Sequence, residues 1–341
     1  MPDPTDLTYG SDSSGLICGF VFSAQAAPRP VDSVAALLWM NSARASDQRD
    51  QDFIWLHFNL SNVQSEKWLR AHFALPEQFY ESLREGTGST RIEQVDDCLT
   101  AIVNDVVFDF SYDASQIATM WMCINHDFAI SMRLRPLRSV DRLRQSARKG
   151  ERLASPVSLL AHLLRDQADV LEQIAHTAAI RVDEIEDNLL AGRVDTKRSA
   201  LGSLRRLLVR LRRLLAPEPG ALFRLLNRPP EWVDDEDAAV LRAATEEFSG
   251  VLSDLTALQE RTKLLQEEIV AHTTEQTNRS VFLLTMATVL ALPLNIIAGL
   301  FGMNVGGIPF NQDPEGFWII TSIVITFAGI AGWIAFFKQR S

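Results

Sequence analysis

No residue between Ser280 and Gln312 is charged, and a second uncharged run occupies Phe317–Phe337. A membrane-spanning helix needs about 20 consecutive apolar residues. Val281–Phe301 (VFLLTMATVLALPLNIIAGLF) and Phe317–Phe337 (FWIITSIVITFAGIAGWIAFF) each supply them. One central Asp or Lys would cost about 2.5–3.5 kcal/mol on insertion, so their absence from both runs carries information. A buried core helix is the competing reading, and two such runs at the end of one chain count against it. Arg279 precedes the first run and Lys338 and Arg340 follow the second, while the loop between has Asp313 and Glu315 but no Lys or Arg. The positive-inside rule then predicts both termini in the cytoplasm and the loop outside. Two helices are too few to enclose a pore, so any transport through them would require several copies about an axis.

Charge is spread through the first four-fifths of the 341 residues and gives a net −10. That acidic balance argues against nucleic acid as a partner. Met1-Pro2-Asp3-Pro4 lacks the basic stretch and apolar core of a signal peptide, so the N-terminus is expected to stay in the cytoplasm. Cys18, Cys98 and Cys123 form no Cys-X-X-Cys pair and read as ordinary packed thiols in a reducing compartment.

Residues 1 to about 150 read as mixed α and β. Runs rich in β-branched and aromatic residues predict strands at Leu16–Phe22, Phe53–Phe58, Leu99–Phe110, Ile117–Ile124 and Phe128–Leu134, with a turn at Asn125-His126-Asp127. Helical patterning falls at Val31–Ser42, Val63–His72 and Pro76–Arg84. Ser155-Pro156 then suits the cap and first turn of a long helix reaching Leu190. A second helix runs from about Asp195 to Leu215, and Pro217, Pro219, Pro229 and Pro230 mark a connector. From Asp234 to Phe301 there is no proline until Pro293 and one glycine before the membrane, Gly250, which predicts a single helix of about 100 Å at 1.5 Å per residue. Asp234-Asp235-Glu236-Asp237 complements its positive end, and Asp183, Glu184, Glu186 and Asp187 form a solvated acidic face.

Asn278, Val281, Thr285, Thr288, Leu292, Asn295 and Gly299 follow one another at steps of three and four residues and share a helical face. That face is smaller and more polar than its Leu, Ile and Phe flanks. Turned toward a wet axis, it contacts hydrated ions; the other reading is polar glue between neighbouring helices. Glu268, His272 and Glu275 share a face just inside the membrane and are candidates to touch a passing metal, an ordinary exposed histidine being the alternative.

Phe301-Gly302-Met303-Asn304 closes the first apolar run, and Val305-Gly306-Gly307-Ile308-Pro309 follows. Here the sequence resembles the CorA family of divalent metal cation transporters, whose signature is an aromatic residue and Gly-Met-Asn ending the first of two C-terminal spans. Val-Gly-Gly-Ile-Pro looks like the family's zinc-transporting ZntB branch. Pro293, Ala298-Gly299 and Glu186-Asp187-Asn188-Leu189-Leu190 match the family as well. The resemblance implies a funnel-shaped homopentamer in a prokaryotic inner membrane. Gly302, Met303 and Asn304 would be its ion-selectivity motif, with Asn304 of each subunit ringing the outer mouth. Mg²⁺ sheds its hydration shell reluctantly, so neutral amides hold a hydrated ion without trapping it. The family's inner helix also implies a gate where Val281 and Leu284 stand, closing by dewetting. Lys338 and Arg340 form either a basic collar there or anchors to lipid headgroups. Asp313 and Glu315 either enrich cations at the mouth or are solvated loop acids.

Departures from the family pattern bear on mechanism. The stalk acid of the magnesium branch falls at Ala243, with Glu246 and Glu247 nearby, so closure by cytoplasmic Mg²⁺ is not expected from that position. Zn²⁺ prefers Cys and His, yet neither occurs after His272. Both apolar runs lack Asp, Glu and His, which leaves proton coupling without a carrier inside the membrane.

The expected molecule is an α+β membrane protein. Residues 1–150 form a mixed α/β cytoplasmic domain, 151–279 a long-helix stalk, 280–304 and 317–337 the two transmembrane helices, 305–316 a periplasmic loop, and 338–341 a cytoplasmic tail. It is expected to move Zn²⁺, with a proton link implied by the ZntB resemblance, or alternatively Mg²⁺, Co²⁺ or Ni²⁺. Its partners are copies of itself and membrane lipid, and it needs no cofactor beyond the transported cation. A membrane-anchored sensor or scaffold is the rival. No nucleotide loop, nucleophile motif or metal-hydrolase spacing points to an enzyme.

Overall fold

Side chains alternate across a strand. In Phe53–Asn59 (β3), Ile54, Leu56 and Phe58 take one side, Phe53, Trp55 and His57 the other, and all six are buried. Such a strand belongs inside a sheet covered on both faces. The computed structural model describes residues 10–23, 26–44, 52–86, 90–111, 116–191, 198–303 and 314–338. It shows β1 (Leu16–Phe22), β2 (Arg29–Pro30), β3, β4 (Arg91–Val95), β5 (Cys98–Val106), β6 (Ile117–Ile124) and β7 (Phe128–Arg133) in the order β2-β1-β3-β7-β6-β5-β4. β3 and β7 run parallel, and the other neighbouring pairs run antiparallel.

One face of the sheet carries α1 (Ser33–Arg44), α2 (Val63–His72) and α3 (Glu77–Glu85), with Leu69, Phe79 and Tyr80 in one cluster with Leu56, Phe58 and Trp121. The other face carries α4 (Arg138–Arg148), the start of α5 (Pro156–Leu190), α7 (Pro217–Asn227) and the start of α8 (Asp235–Phe301). Val140, Leu160, Leu222 and Leu241 join Phe20, Trp55 and Met120 there. Fully burying each such side chain contributes about 1.5–3 kcal/mol. Gly15 turns the chain into β1 at φ +87°, and a Cβ there would stand 1.9 Å from Ser65 Oγ, so no other residue fits.

The remaining helices are α6 (Arg198–Leu215) and α9 (Gly316–Lys338). The chain divides into two compact units, Met1–Gln266 and Glu267–Ser341. α5 begins as its sequence requires: Ser155 Oγ accepts from Ser158 N at 2.9 Å, and Ser155 N donates to Ser158 Oγ at 3.0 Å. Asp234 Oδ1 caps α8 by accepting from Asp237 N at 2.7 Å. The acidic face of α5 is partly ion-paired instead of merely solvated, because Arg261 reaches both Asp183 (2.7 Å) and Glu186.

The proline-rich connector is corrected: residues 217–227 are helical. Pro217 and Pro219 sit in the first turn, where no N–H is needed, and Ala221, Leu222 and Leu226 bury against the sheet. Between those prolines Glu218 is fully buried, and neither carboxyl oxygen has a hydrogen-bond partner among the described residues. Burial, and then the Asp105 charge nearby, push its pKa well above the ordinary value. Burial also lifts Asp105 to about 6, although Ser139 N (3.1 Å), Ser139 Oγ (2.5 Å) and Val106 N (2.7 Å) donate to it.

A folded-state pKa above the unfolded value means the native chain keeps a proton the unfolded chain has lost. Stability therefore falls as pH rises from the ordinary carboxyl range through the folded pKa of Glu218. Glu218→Gln is expected to stabilise the first unit at pH 8, where the native chain must hold a proton that the unfolded chain has lost. The gain should shrink toward pH 4, as read by tryptophan-fluorescence melts across that range; a gain independent of pH would contradict the assignment.

Candidate cation pathway along helix α8

Within the first unit α8 has a buried side, formed by Leu241, Ala244, Phe248, Leu252, Leu255, Leu258, Thr262 and Leu265. Away from it, Ala243, Gly250, Ala257 and Leu264 recur every seven residues and are exposed. Glu246, Glu247 and Asp254 are exposed beside them, and carboxylates on an open face draw cations toward it. Periodicity alone had singled out only the later turns of this helix.

From Glu267 onward the sequence-derived face stands open. Asn278, Thr285, Thr288, Asn295 and Gly299 are exposed, as are Val281 (55%), Leu284 (70%) and Leu292 (58%). Phe282, Met286, Leu290, Leu294 and Ile297 are half-buried. At about 100° per residue these two sets centre roughly 150° apart, so the polar face points away from the side its own chain covers. A Cβ on Gly299 would meet nothing within 4 Å. The apolar window of α8 is long enough to cross a membrane, and none of it is buried.

The hydroxyls on this face have a defined polarity. Thr285 Oγ1 donates to the Val281 carbonyl at 2.8 Å and Thr288 Oγ1 to the Leu284 carbonyl at 2.9 Å. Thr273, Thr274, Thr277 and Ser280 do the same one turn back. Each hydroxyl has a single proton, so once it is given to the backbone only acceptor lone pairs face outward. Water held by a divalent cation presents its hydrogens outward. A wall of acceptors matches such a hydrated ion.

At the end of α8, Gly302 N donates to the Ala298 carbonyl at 2.9 Å and Met303 N to the Leu300 carbonyl at 3.4 Å. Met303 is 52% exposed. Asn304 and Asp313 lie outside the described residues. Glu315 is exposed, and its carbonyl accepts from Trp318 N (3.0 Å) and Ile319 N (3.2 Å) at the start of α9. Its negative charge there complements the positive helix end. Glu268, His272 and Glu275 follow one another along α8; His272 is half-buried, and its Nδ1 has no hydrogen-bond partner among the described residues. Among the described residues no three His, Cys, Asp or Glu side chains converge on a metal-sized space.

The sequence model of the family described as "CorA-like Mg2+ transporter protein" matches residues 50–339. The chain is 29% identical over 328 residues to the divalent cation transporter CmaX of Pseudomonas aeruginosa, covering 95% of this chain and 96% of that one. It is 25% identical over 281 residues to the zinc transport protein ZntB of Yersinia enterocolitica, covering 82% and 86%. The structure of full-length CmaX superposes with a TM-score of 0.77 at 26% identity, covering 97% of this chain and all of the other.

With open space at Gly299, Gly299→Ala is expected to keep full helix content by circular dichroism and to gain up to about 1 kcal/mol of helix propensity. Lower helicity in the variant would mean that the glycine serves the single chain and not a neighbour.

Proposed function

The chain belongs to the CorA-like Mg²⁺ transporter family, whose members carry divalent cations and are not enzymes, and we propose that it does so as a homopentamer whose α8 helices line one pore. The observation that carries this reading is the acceptor-bearing face of α8, exposed on the side opposite the half-buried apolar residues. Facing lipid, that arrangement wastes polar groups; facing a water-filled axis, it serves hydrated cations.

Asn304 captures the ion at the outer mouth, with Gly302 and Met303 shaping the turn that presents it. Asn295, Thr288 and Thr285 line the path, Gly299 and Leu292 set its width, and Leu284 and Val281 close it below, with Asn278 beneath them. Asp313 and Glu315 concentrate cations at the entrance, an effect that salt weakens. Residues 280–304 and 317–337 cross the prokaryotic inner membrane. Residues 1–150, 151–279 and 338–341 lie in the cytoplasm, and 305–316 form the periplasmic loop.

Zn²⁺ is the proposed cargo, supported by the ZntB relative and by the Val305–Pro309 segment. A second reading, Mg²⁺ with Co²⁺ or Ni²⁺, draws on a different observation: the face offers oxygen donors and no Cys or His, a set suited to hard, hydrated ions. His272, with Glu268 and Glu275, is the one place on α8 where an imidazole would favour Zn²⁺ over Mg²⁺.

Dye-reported uptake in proteoliposomes, comparing Zn²⁺, Mg²⁺, Co²⁺ and Ni²⁺ with and without a pH gradient, separates these readings. Asn304→Ala is expected to abolish saturable uptake while the oligomer persists in native mass spectrometry. Normal uptake by that variant would remove Asn304 from the mechanism. A wild-type chain that is monomeric in lipid, or that supports no flux of any divalent cation, would end the pore reading.

A further inference from the structure

Cys98 opens β5 directly after the Asp96-Asp97 turn, and Cys123 lies next to last in the neighbouring strand β6. The register pairs Leu99 with Ile124 and Thr100 with Cys123. Residues two apart on a strand share a face, so Cys98 and Cys123 are diagonal neighbours on one side of the sheet. Both enter the same apolar cluster. The pairing of two strands creates this contact, which no short cysteine motif announces.

We propose that Cys98 and Cys123 form a dithiol site that exchanges with low-molecular-weight disulfides of the glutathione type. Cys98 is the entry point: it stands at the strand end beside the exposed Asp96 and Asp97 and is 6% exposed, against 0% for Cys123. The neighbouring Cys123 thiol also favours the Cys98 thiolate, lowering its pKa. The Cys98 thiolate attacks one sulfur of the small disulfide, breaking that bond and expelling one thiolate, which takes up a proton. Cys123 then gives up its proton and attacks Cys98 Sγ, expelling the second small thiol. The protein has lost two hydrogens and the small disulfide has become two thiols.

Diagonal neighbours on antiparallel strands lie about 7–8 Å apart, beyond the roughly 4.4–6.8 Å that disulfides favour between Cα atoms. The link therefore requires the start of β5 to shift, and a strained link is readily reduced. The site is a reversible one.

The test incubates the full chain, folded in lipid nanodiscs, with oxidised glutathione. Titratable thiols are expected to fall from three to one, Cys18 being the survivor because it lies on β1, outside the Cys98–Cys123 pair. The intact mass should fall by two hydrogens, and dithiothreitol should restore both readings. Cys123→Ser is expected to stop at a stable glutathione adduct on Cys98, and Cys98→Ser to leave Cys123 unreacted. Peptide mapping of the oxidised wild-type chain decides the case even where a variant misfolds, since it must show Cys98 joined to Cys123. Three thiols still titrating in the folded protein, or a link between chains in place of one within a chain, would overturn the proposal.

Discussion

A polypeptide inside hydrocarbon has no water to meet its N–H and C=O groups, and each unmet group costs several kcal/mol. α8 answers this by remaining one helix from Asp235 to Phe301. Pro293 is the exception within it, since a proline has no N–H to offer the carbonyl four residues earlier. The same economy governs the side chains. Thr285 and Thr288 return their only proton to the helix backbone, so what they show to the outside is chosen by what the helix takes first. The chemistry of the candidate pathway is thus a by-product of keeping a backbone satisfied.

The first unit solves a different problem, that of polar groups locked inside a two-sided core. His57 sits on β3, inside the sheet, where Arg133 Nε donates to its Nε2 at 3.0 Å and Ser131 Oγ meets its Nδ1 at 2.8 Å. Burial, with the Arg133 charge adding to it, holds His57 neutral by lowering its pKa far below the ordinary value. Asn104 joins Thr90, Thr119 and the Leu214 carbonyl at the junction of the sheet with the end of α6. Such networks stay in a core because leaving one partner out costs more than the bonds return. Glu218 stands apart from this pattern, and holding a proton is the cheapest way to leave a carboxyl unpartnered beside another buried acid.

Much of the fold was legible in the chain itself wherever local chemistry and burial agree. The limits of β1, β6 and α2 follow from alternation or helical spacing, and the start of α5 follows from Ser155-Pro156. α4 escaped notice because it is highly polar and buries little beyond Val140, Leu143 and Ala147 among its apolar residues. β4 lies at an edge and buries only Ile92, leaving no hydrophobic run to read. α7 was hidden behind prolines that fit a first turn as well as a loop. For the pathway, the spacing from Asn278 to Gly299 is enough to name a face, but whether that face is covered depends on tertiary contacts a sequence does not print. The meeting of Cys98 with Cys123 depends on strand register and could not be read from spacing.

The seven-residue recurrence of Ala243, Gly250, Ala257, Leu264, Ala271, Asn278, Thr285, Leu292 and Gly299 along α8 has a geometric consequence. In a straight helix such a series slips by about 20° at each repeat, so over its length it would wander far around the cylinder. Copies arranged about a common axis can keep the series inward only by winding around one another in a left-handed sense. In the proposed assembly, any change in that winding would swivel the threonine and asparagine side chains, making torsion, more than opening or closing displacement, the natural motion of its wall.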